Sequence, residues 1–313
     1  MSMKTVYRTV TVVLPALLTA FLAAFLAAGC GNEMNTGLPA DAAVPVEIAG
    51  AGITAGVQTR ASITAGSMGV FRTGTGYPEQ YEKYTYNNGW QPTANAIIVG
   101  GGDATVCAYY PYDDAAAHTG TGFVLEAQGW SELKDFSYAY TTEVSNKAPY
   151  VSFAMKRAYA RLKLSITRKA NYVGNCNIAN VNIRHSGSNS FLTRRVLDIS
   201  NNTASGDVNA GGGWTHGLNL GNIAPGATNT AYDALVPPQP VNGGLIITLP
   251  IDGTNRSVTV PAASFSDNLS AGRQYTISLT ITDVAVTLNG NININDMVWD
   301  GTVIQNDEPI KIF

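Results

Sequence analysis

The chain has 313 residues, of which 45% are hydrophobic and only 13% are charged, and its formal net charge is −3 at pH 7. This length suits two domains of ordinary size. There is no basic stripe or run of Lys and Arg that could neutralise phosphates, so the sequence speaks against nucleic acid as a partner.

The first thirty residues have the order of a secretory signal peptide. Lys4 and Arg8 precede an acid-free apolar run, which is followed by small residues up to Cys30. Positive charge, an apolar run and small residues at the cleavage point are the features that export and processing enzymes read. Since the run is long enough, at about 18 residues, to span a bilayer, a permanent transmembrane anchor is the alternative.

Gly29-Cys30 resembles the lipobox of bacterial lipoproteins, in which the cysteine is diacylated and becomes the first residue of the mature protein. This resemblance implies a signal peptide over residues 1–29, cleavage between Gly29 and Cys30, and lipidation of Cys30. Two or more acyl chains give stable anchoring where one does not. We therefore expect a tethered chain, whose formal charge changes from −3 to −5 because Lys4 and Arg8 are removed.

Residues 30–45 are small, polar and Pro-containing, and they show no hydrophobic period. Too little apolar surface is available there to offset the entropy of an ordered chain. We expect this segment to be a flexible tether.

From Val46 onward, short runs rich in Val, Ile, Thr and Tyr alternate with Gly, Asn, Asp and Pro, which predicts an all-β protein. In the segments 161–167 and 275–281 apolar residues recur at every second position, as half-buried strands require. Asp252-Gly253 separates two further candidate strands and predicts a hairpin turn. Helix signals are poor, and the best candidate is Ser131 to Phe136.

The mature body exceeds one ordinary sandwich, so we predict two β-sandwich domains in tandem. The first covers residues 46–160 and the second covers residues 161–313, with the boundary near Ala160. No internal repeat at the scale of about 20–50 residues is evident, which speaks against propellers and solenoids.

Several short segments, in this order, resemble the fimbrillin family of Bacteroidales surface lipoproteins. They are Thr59-Arg60-Ala61, Gly69-Val70-Phe71, Tyr84-Thr-Tyr86 with Trp90, Ala108-Tyr-Tyr-Pro-Tyr112, Phe153, Ala160-Arg161-Leu162, Leu269 to Tyr275, and Ile294 to Trp299. The resemblance covers nearly the whole mature chain. The stretch Ile63 to Gly69 departs from the family, because many members carry Trp and a Gly-Asp pair there.

The resemblance implies two transthyretin-like β-sandwich domains and a shaft, tip or anchor component of cell-surface fimbriae. In that family a lipidated precursor reaches the outer membrane surface, where an Arg-specific protease can remove an N-terminal segment. A strand from a neighbouring subunit then fills the vacated position. The implied partners are other fimbrial subunits, the outer membrane through the lipid, and surface glycans or proteins of a host or another bacterium.

Arg60 and Ala61 match the processing site of that family. They follow a short apolar stretch, with Val46, Ile48 and Ile53, that is a candidate for the removable strand. The alternative is an arginine in an exposed loop with no such role. Arg72 is a weaker candidate because it adjoins a predicted strand.

The C-terminal tail, residues 303–313, ends on the apolar residues Ile310, Ile312 and Phe313. One hypothesis is that the tail is a donor strand for a neighbouring subunit. The alternative is a last strand folded on its own domain, with Pro309 at the start of the strand.

Aromatic residues offer a different function, a lipid-anchored glycan-binding protein. Tyr84, Tyr86 and Trp90 are close in sequence and would form a sugar platform if their rings lay on an open sheet face. The alternative is that they pack in the core or across strands, as aromatic residues in strands commonly do.

We find no catalytic motif and expect neither an enzyme nor a cofactor or metal. The three histidines lack metal-ligand spacing, and the acidic pair Asp113-Asp114, or Asp307-Glu308, is more typical of solvated turns than of a calcium site. We expect Cys107 and Cys176 to be buried and unpaired, with a disulfide as the alternative that export would permit.

Overall fold

The computed structural model describes residues 42–55, 58–74, 78–116, 118, 120–217, 220–297, 302–305 and 308–311, without side chains for residues 54–61 or after residue 297. The predicted signal peptide, Gly29, Cys30 and most of the predicted tether lie outside the described residues. The tether was predicted to extend to residue 45, but Val44 and Pro45 already pair with Val99 and Ile98.

The described strands, in chain order, are β1 Val44–Pro45, β2 Glu47–Ala55, β3 Gln58–Ser62, β4 Ser67–Gly74, β5 Gln80–Tyr86, β6 Trp90–Pro92, β7 Ile98–Val99, β8 Ala104–Tyr110, β9 Gly122–Glu126, β10 Gln128–Gly129, β11 Ser137–Val144, β12 Tyr150–Arg157, β13 Ala160–Arg168, β14 Asn177–Ile178, β15 Val181–His185, β16 Ser190–Asp198, β17 Thr203–Gly211, β18 Trp214–His216, β19 Gly221–Asn222, β20 Thr228–Val236, β21 Gln239–Pro240, β22 Leu245–Ile251, β23 Thr254–Val260, β24 Asn268–Leu269, β25 Arg273–Ile281, β26 Val286–Leu288, β27 Asn293–Asp296, β28 Thr302–Gln305 and β29 Glu308–Lys311. The protein is all-β, as predicted. Its helical turns in the described residues are two short 3-10 helices, Asp114–Ala116 and Ala262–Phe265.

The helix candidate Ser131 to Phe136 forms a turn instead. The backbone N–H groups of Lys134 and Asp135 both donate to the carbonyl oxygen of Ser131, at 3.1 and 3.0 Å. Trp130 and Asp135 are also joined by their side chains, so tertiary contacts fix this segment as a turn.

The largest sheet has eight strands in the order β3-β2-β12-β11-β8-β4-β5-β6. β2 and β12 are parallel, and the other neighbours are antiparallel. The sheet curls, so that β2, which is next to one end of the sheet, also lies near β6, the strand at the other end. Its inner face encloses a first core, which includes Val70, Tyr84, Val106 and Phe153.

Two six-stranded sheets form a β-sandwich around a second core. Their orders are β10-β20-β13-β25-β26, with β27 beside β25, and β18-β15-β22-β14-β19, with β23 beside β22. Leu164 and Ile277 from the first sheet and Ile183 and Ile247 from the second belong to one buried cluster. Two sheets that share one core in this way are a sandwich.

The predicted strand alternation and the predicted hairpin turn are both confirmed in this region. Leu162, Leu164 and Ile166 are buried along β13, while the residues between them are partly exposed. The predicted turn Asp252-Gly253 joins β22 to β23 with φ angles of 49° and 81°, and both angles fall in the left-handed region that tight hairpins require.

A third buried cluster contains residues from both sides of Ala160. Phe71 and Phe123 lie before Ala160, and Leu197 and Leu235 lie after it. The three-stranded sheet β17-β16-β9 likewise joins β9 to two later strands. Residues Asp41–Phe313 form one compact unit, and the division into domains 46–160 and 161–313 stays a prediction.

Candidate functional site

The candidate site is the N-terminal edge of the eight-stranded sheet, where β2 lies between β12 and the outermost strand β3. β2 runs parallel to β12, with Ile48 opposite Val151, and antiparallel to β3, with Ile53 opposite Ala61. All of β2 precedes Arg60. The apolar stretch that the sequence offers as removable is thus an interior strand of the sheet.

This N-terminal segment contributes four buried apolar side chains to the first core, those of Val46, Ile48, Ala51 and Ile53. Full burial of a valine or isoleucine side chain contributes about 1.5–3 kcal/mol, so the three larger residues contribute about 5–9 kcal/mol together. The whole stability of a typical domain is about 5–15 kcal/mol. Loss of β2 therefore requires either a large loss of stability or a replacement strand.

The bond between Arg60 and Ala61 lies within β3, at the edge of this sheet. Within the described strands, β3 has a hydrogen-bonded neighbour on one side only. The backbone at Arg60 is therefore part of a strand and not of a loop, and the role of Arg60 in processing stays a prediction. Edge strands keep one row of N–H and C=O groups free of sheet pairing, and such elements open locally more easily than interior strands.

Arg72, the weaker processing candidate, lies in an interior strand. β4 has β5 on one side and β8 on the other, and Arg72 is 4% exposed. A protease would have to open both ladders to reach the Arg72 peptide bond.

The C-terminal tail forms a hairpin in the part that the structure describes. β28 pairs with β29, with Val303 opposite Ile310 and Ile304 opposite Pro309. These two strands make a two-stranded sheet of their own. Ile312 and Phe313, the other two residues of the candidate donor strand, lie outside the described residues.

The proposed sugar platform is not an open face. Tyr84 is 1% exposed and Trp90 is 5% exposed, and the Tyr84 hydroxyl accepts a 2.9 Å hydrogen bond from the backbone N–H of Ile97. Tyr86 packs edge-on against Trp90, with ring centroids 5.4 Å apart. A sugar ring cannot stack on aromatic faces that are enclosed by the core, so Tyr84 and Trp90 are packing residues, and Tyr86 is partly buried against the same core.

The two remaining cysteines are buried and unpaired, as expected. Burial raises the pKa of the Cys107 thiol to about 12 and also raises the pKa of Cys176. Since the thiolate is the reactive form, we expect both thiols to be unreactive in the folded protein.

The other titratable candidates are dispersed. Asp114 forms a 2.8 Å ion pair with Lys83 at the surface, and Glu308 lies in the C-terminal hairpin. Among the described residues, no group of three or more His, Cys, Asp and Glu side chains could hold a metal ion. None of the helices described is both long and apolar enough to cross a membrane.

The sequence gives no signal for two clusters of polar side chains in the structure. One is the buried ion pair between Asp135 and Arg157, and the other is a polar cleft around His185. Both combine residues from several strands, and no spacing in the chain signals them.

The curled sheet and the sandwich define an all-β protein whose candidate site is the sheet edge formed by β2 and β3. A family model described as fimbrillin-like matches residues 57–296. The chain therefore belongs to the fimbrillin-like family, as its sequence segments suggested, and this membership supports a fimbrial or adhesin role at the cell surface.

Solved structures share the fold at low sequence identity. One is a candidate cell adhesion protein from Bacteroides ovatus, with a TM-score of 0.55, 16% identity, and coverage of 83% of this chain and 99% of that chain. Another candidate cell adhesion protein, from Bacteroides uniformis, has a TM-score of 0.51 and 15% identity and covers 81% and 99% of the respective chains. The comparison with curated proteins gives no match.

Proposed function

We propose that this protein is a structural or adhesive component of cell-surface fimbriae, exported as a lipoprotein precursor and assembled by strand exchange after cleavage at Arg60. Cys30 holds the precursor at the outer membrane surface through its lipid. After cleavage the lipid leaves with the N-terminal segment, and other subunits hold the protein in the fimbrium. The role is non-enzymatic and uses no cofactor.

The observation that carries this proposal is the position of β2. It is an interior strand in which Ile48, Ala51 and Ile53 are buried, and it lies entirely before the Arg60–Ala61 bond. Cleavage there and loss of the segment would expose the N–H and C=O groups of β12 beside an apolar groove. A strand from another subunit would satisfy both the hydrogen bonds and the apolar surface.

The C-terminal tail is our candidate for the donated strand. β28 and β29 pair with each other in a sheet of two, and an isolated two-stranded hairpin is marginally stable at best in water. Opening it costs little, so either strand is available to a neighbouring subunit. Ile310 lies in β29, and Ile312 and Phe313 continue that segment in the sequence.

Cleavage is tested with the full-length protein and an Arg-specific protease. We expect a new N-terminus at Ala61 by mass spectrometry, followed by a ladder of oligomers, and the Arg60→Lys variant should give neither. Arg194→Lys is the matched control, because Arg194 is a surface arginine with 40% of its side chain exposed. Cleavage elsewhere, or an unchanged monomer after cleavage at Arg60, would contradict strand exchange.

The mature N-terminus on cells tests the same proposal in place. A surface preparation should contain chains that begin at Ala61, as expected for a polymerised subunit. If only chains with lipidated Cys30 are found, the protein is an anchor component or an unpolymerised surface lipoprotein.

Donation by the tail is tested by deleting residues 303–313. Loss of the oligomer ladder with an unchanged melting temperature supports donation. A collapsed melting temperature would instead identify the tail as part of its own domain.

A further inference from the structure

A polar cleft of about 320 Å³ is lined by residues between His185 and Asn242. Its walls come from the loop after β15, the β16–β17 hairpin and the segment around β21. Ligand pockets in proteins commonly start at about 300 Å³, so this cleft has room for a small ligand.

The floor of the cleft is fixed by Gln239, which is 4% exposed. Its Oε1 accepts a hydrogen bond from the backbone N–H of Leu192 at 2.9 Å, and its Nε2 donates to the Leu192 and Pro237 carbonyl oxygens at 3.1 Å each. The loops beside it are joined through the backbone, where the N–H of Gly187 donates to the Asn242 carbonyl oxygen at 2.9 Å. The cleft is therefore preformed, which lowers the entropic cost of binding.

The walls carry planar hydrogen-bonding groups whose charges cancel. Arg195 and Asp207 form a two-pronged pair, with distances of 2.8 Å from Nε to Oδ1 and 2.6 Å from Nη2 to Oδ2. The side-chain amides of Asn209 and Asn242 also line the cleft and make no hydrogen bond with other described residues. These amides are donors and acceptors available to a ligand.

His185 adds a buried imidazole to the cleft wall. The residue is 5% exposed, its ring lies edge-on to Phe191 with centroids 5.5 Å apart, and its Nε2 has no hydrogen-bond partner within the described residues. Burial lowers the pKa of His185, and a hydrogen bond with the Gln239 side chain opposes this effect in part. A buried polar atom without a partner is costly to the folded protein.

We propose that this cleft binds a neutral carbohydrate, one or two sugar units in size. Vicinal hydroxyls of a sugar match the paired donors and acceptors of Asn209, Asn242 and Asp207, while Leu192 and Pro240 provide apolar surface for its C–H groups. The charges of Arg195 and Asp207 cancel, so the cleft does not favour a strongly anionic or cationic ligand. This inference adds an adhesion ligand to the protein and does not depend on cleavage at Arg60 or on strand exchange.

The test is a glycan array that carries neutral and acidic oligosaccharides, probed with the purified full-length protein. Methyl glycosides of the terminal sugars that bind are then titrated by NMR. We expect neutral sugars to bind, with a dissociation constant of about 1 mM for a single sugar unit. The variant Asn209→Ala/Asn242→Ala should weaken binding at least about tenfold, as loss of two hydrogen bonds predicts.

The matched control is Asn255→Ala, since Asn255 is an exposed asparagine on β23 outside the cleft. It should bind like the unmodified protein. Asp207→Asn is the second variant. It should also weaken binding, because it removes the carboxylate that holds Arg195 in place. Binding of acidic glycans alone, no binding of any neutral glycan, or equal binding by all variants with unchanged melting temperatures would overturn the proposal.

Discussion

Arg157, at the end of β12, forms a buried ion pair with Asp135, and their side chains are 6% and 3% exposed. Nη1 of Arg157 donates to Asp135 Oδ2 and, at 3.4 Å, to the Asp135 carbonyl oxygen. The indole N–H of Trp130 also donates to Asp135, at 3.3 Å, and the Arg161 guanidinium stacks 3.8 Å from the Trp130 ring centroid. The pair thus connects the eight-stranded sheet to the sandwich, where Arg161 lies on β13.

Removal of Arg157 should destabilise the fold strongly. Burial raises the pKa of Asp135 and outweighs the opposing effect of Arg157, so at neutral pH the carboxylate is costly even when paired. Arg157→Ala would leave this charge buried without its main partner, and we expect a loss of about 3–5 kcal/mol in the free energy of unfolding. Urea denaturation measures the loss.

The double variant Asp135→Leu/Arg157→Met should recover most of that loss, because apolar replacement of both partners is often neutral. Arg194→Ala is the surface control. Its 3.8 Å pair with Glu126 is exposed and should be worth less than about 1 kcal/mol. Equal effects of Arg157→Ala and Arg194→Ala would contradict the importance of the buried pair.

Gly69 is required by the ring of Tyr109. A Cβ at position 69 would overlap this ring, which is enclosed by Phe71 and Phe123. We expect Gly69→Ala to cost about 1–3 kcal/mol through overpacking. Gly50→Ala is the matched strand control, because the nearest atom to its Cβ is Ser152 Oγ at an ordinary 3.8 Å. Thermal unfolding of both variants gives the comparison, and similar melting temperatures would refute the steric argument.

Asp252 should make stability depend on pH in the acid range. Its carboxylate accepts hydrogen bonds from the N–H groups of Asn177 and Cys176 and from the Tyr172 hydroxyl, at 2.9, 3.0 and 2.8 Å. The bond from Asn177 is the main cause of the lowered pKa of Asp252. A lowered pKa in the folded state means that the contribution is present above the unfolded value of about 3.9 and is lost as pH falls through the folded value.

Asp252→Asn retains a residue that tolerates the positive φ of the turn but does not titrate. We expect it to lower stability at pH 7 by about 1–2 kcal/mol and to flatten the fall of melting temperature below about pH 4. Tyr172→Phe removes one of the three hydrogen bonds and should give a smaller effect. A pH profile of Asp252→Asn parallel to that of the unmodified protein would contradict this role.

Cys107 and Cys176 should resist thiol reagents in the folded protein. Burial raises both pKa values, that of Cys107 to about 12, so little thiolate is present at pH 8. Peptide mapping after maleimide treatment should find neither residue modified in buffer and both modified in urea. Rapid labelling of the folded protein, or a mass that shows the two thiols joined, would oppose the assignment of free buried thiols.

Alternation along single strands was readable from the sequence because it depends on local geometry. In β25, Tyr275, Ile277 and Leu279 are buried as their spacing predicts, and Asp252-Gly253 forms the expected turn. The segment around Ser131 was misjudged because Asp135 pairs with Arg157, 22 residues later in the chain, and no local pattern includes such a contact. The burial of Tyr84 could not be predicted from the sequence either, since either face of β5 could have been the inner one.

The sequence by itself determined the all-β class, the family segments and the apolar stretch ahead of Arg60, because these depend on residue type and short spacing. Only the tertiary structure decided that this stretch is an interior strand, parallel to a β12 that lies about a hundred residues later in the chain. It also enclosed Tyr84 in the core and brought His185 near Asn209. Pairings of this kind depend on how distant strands bury one another's apolar faces, and a single strand carries no record of its partner.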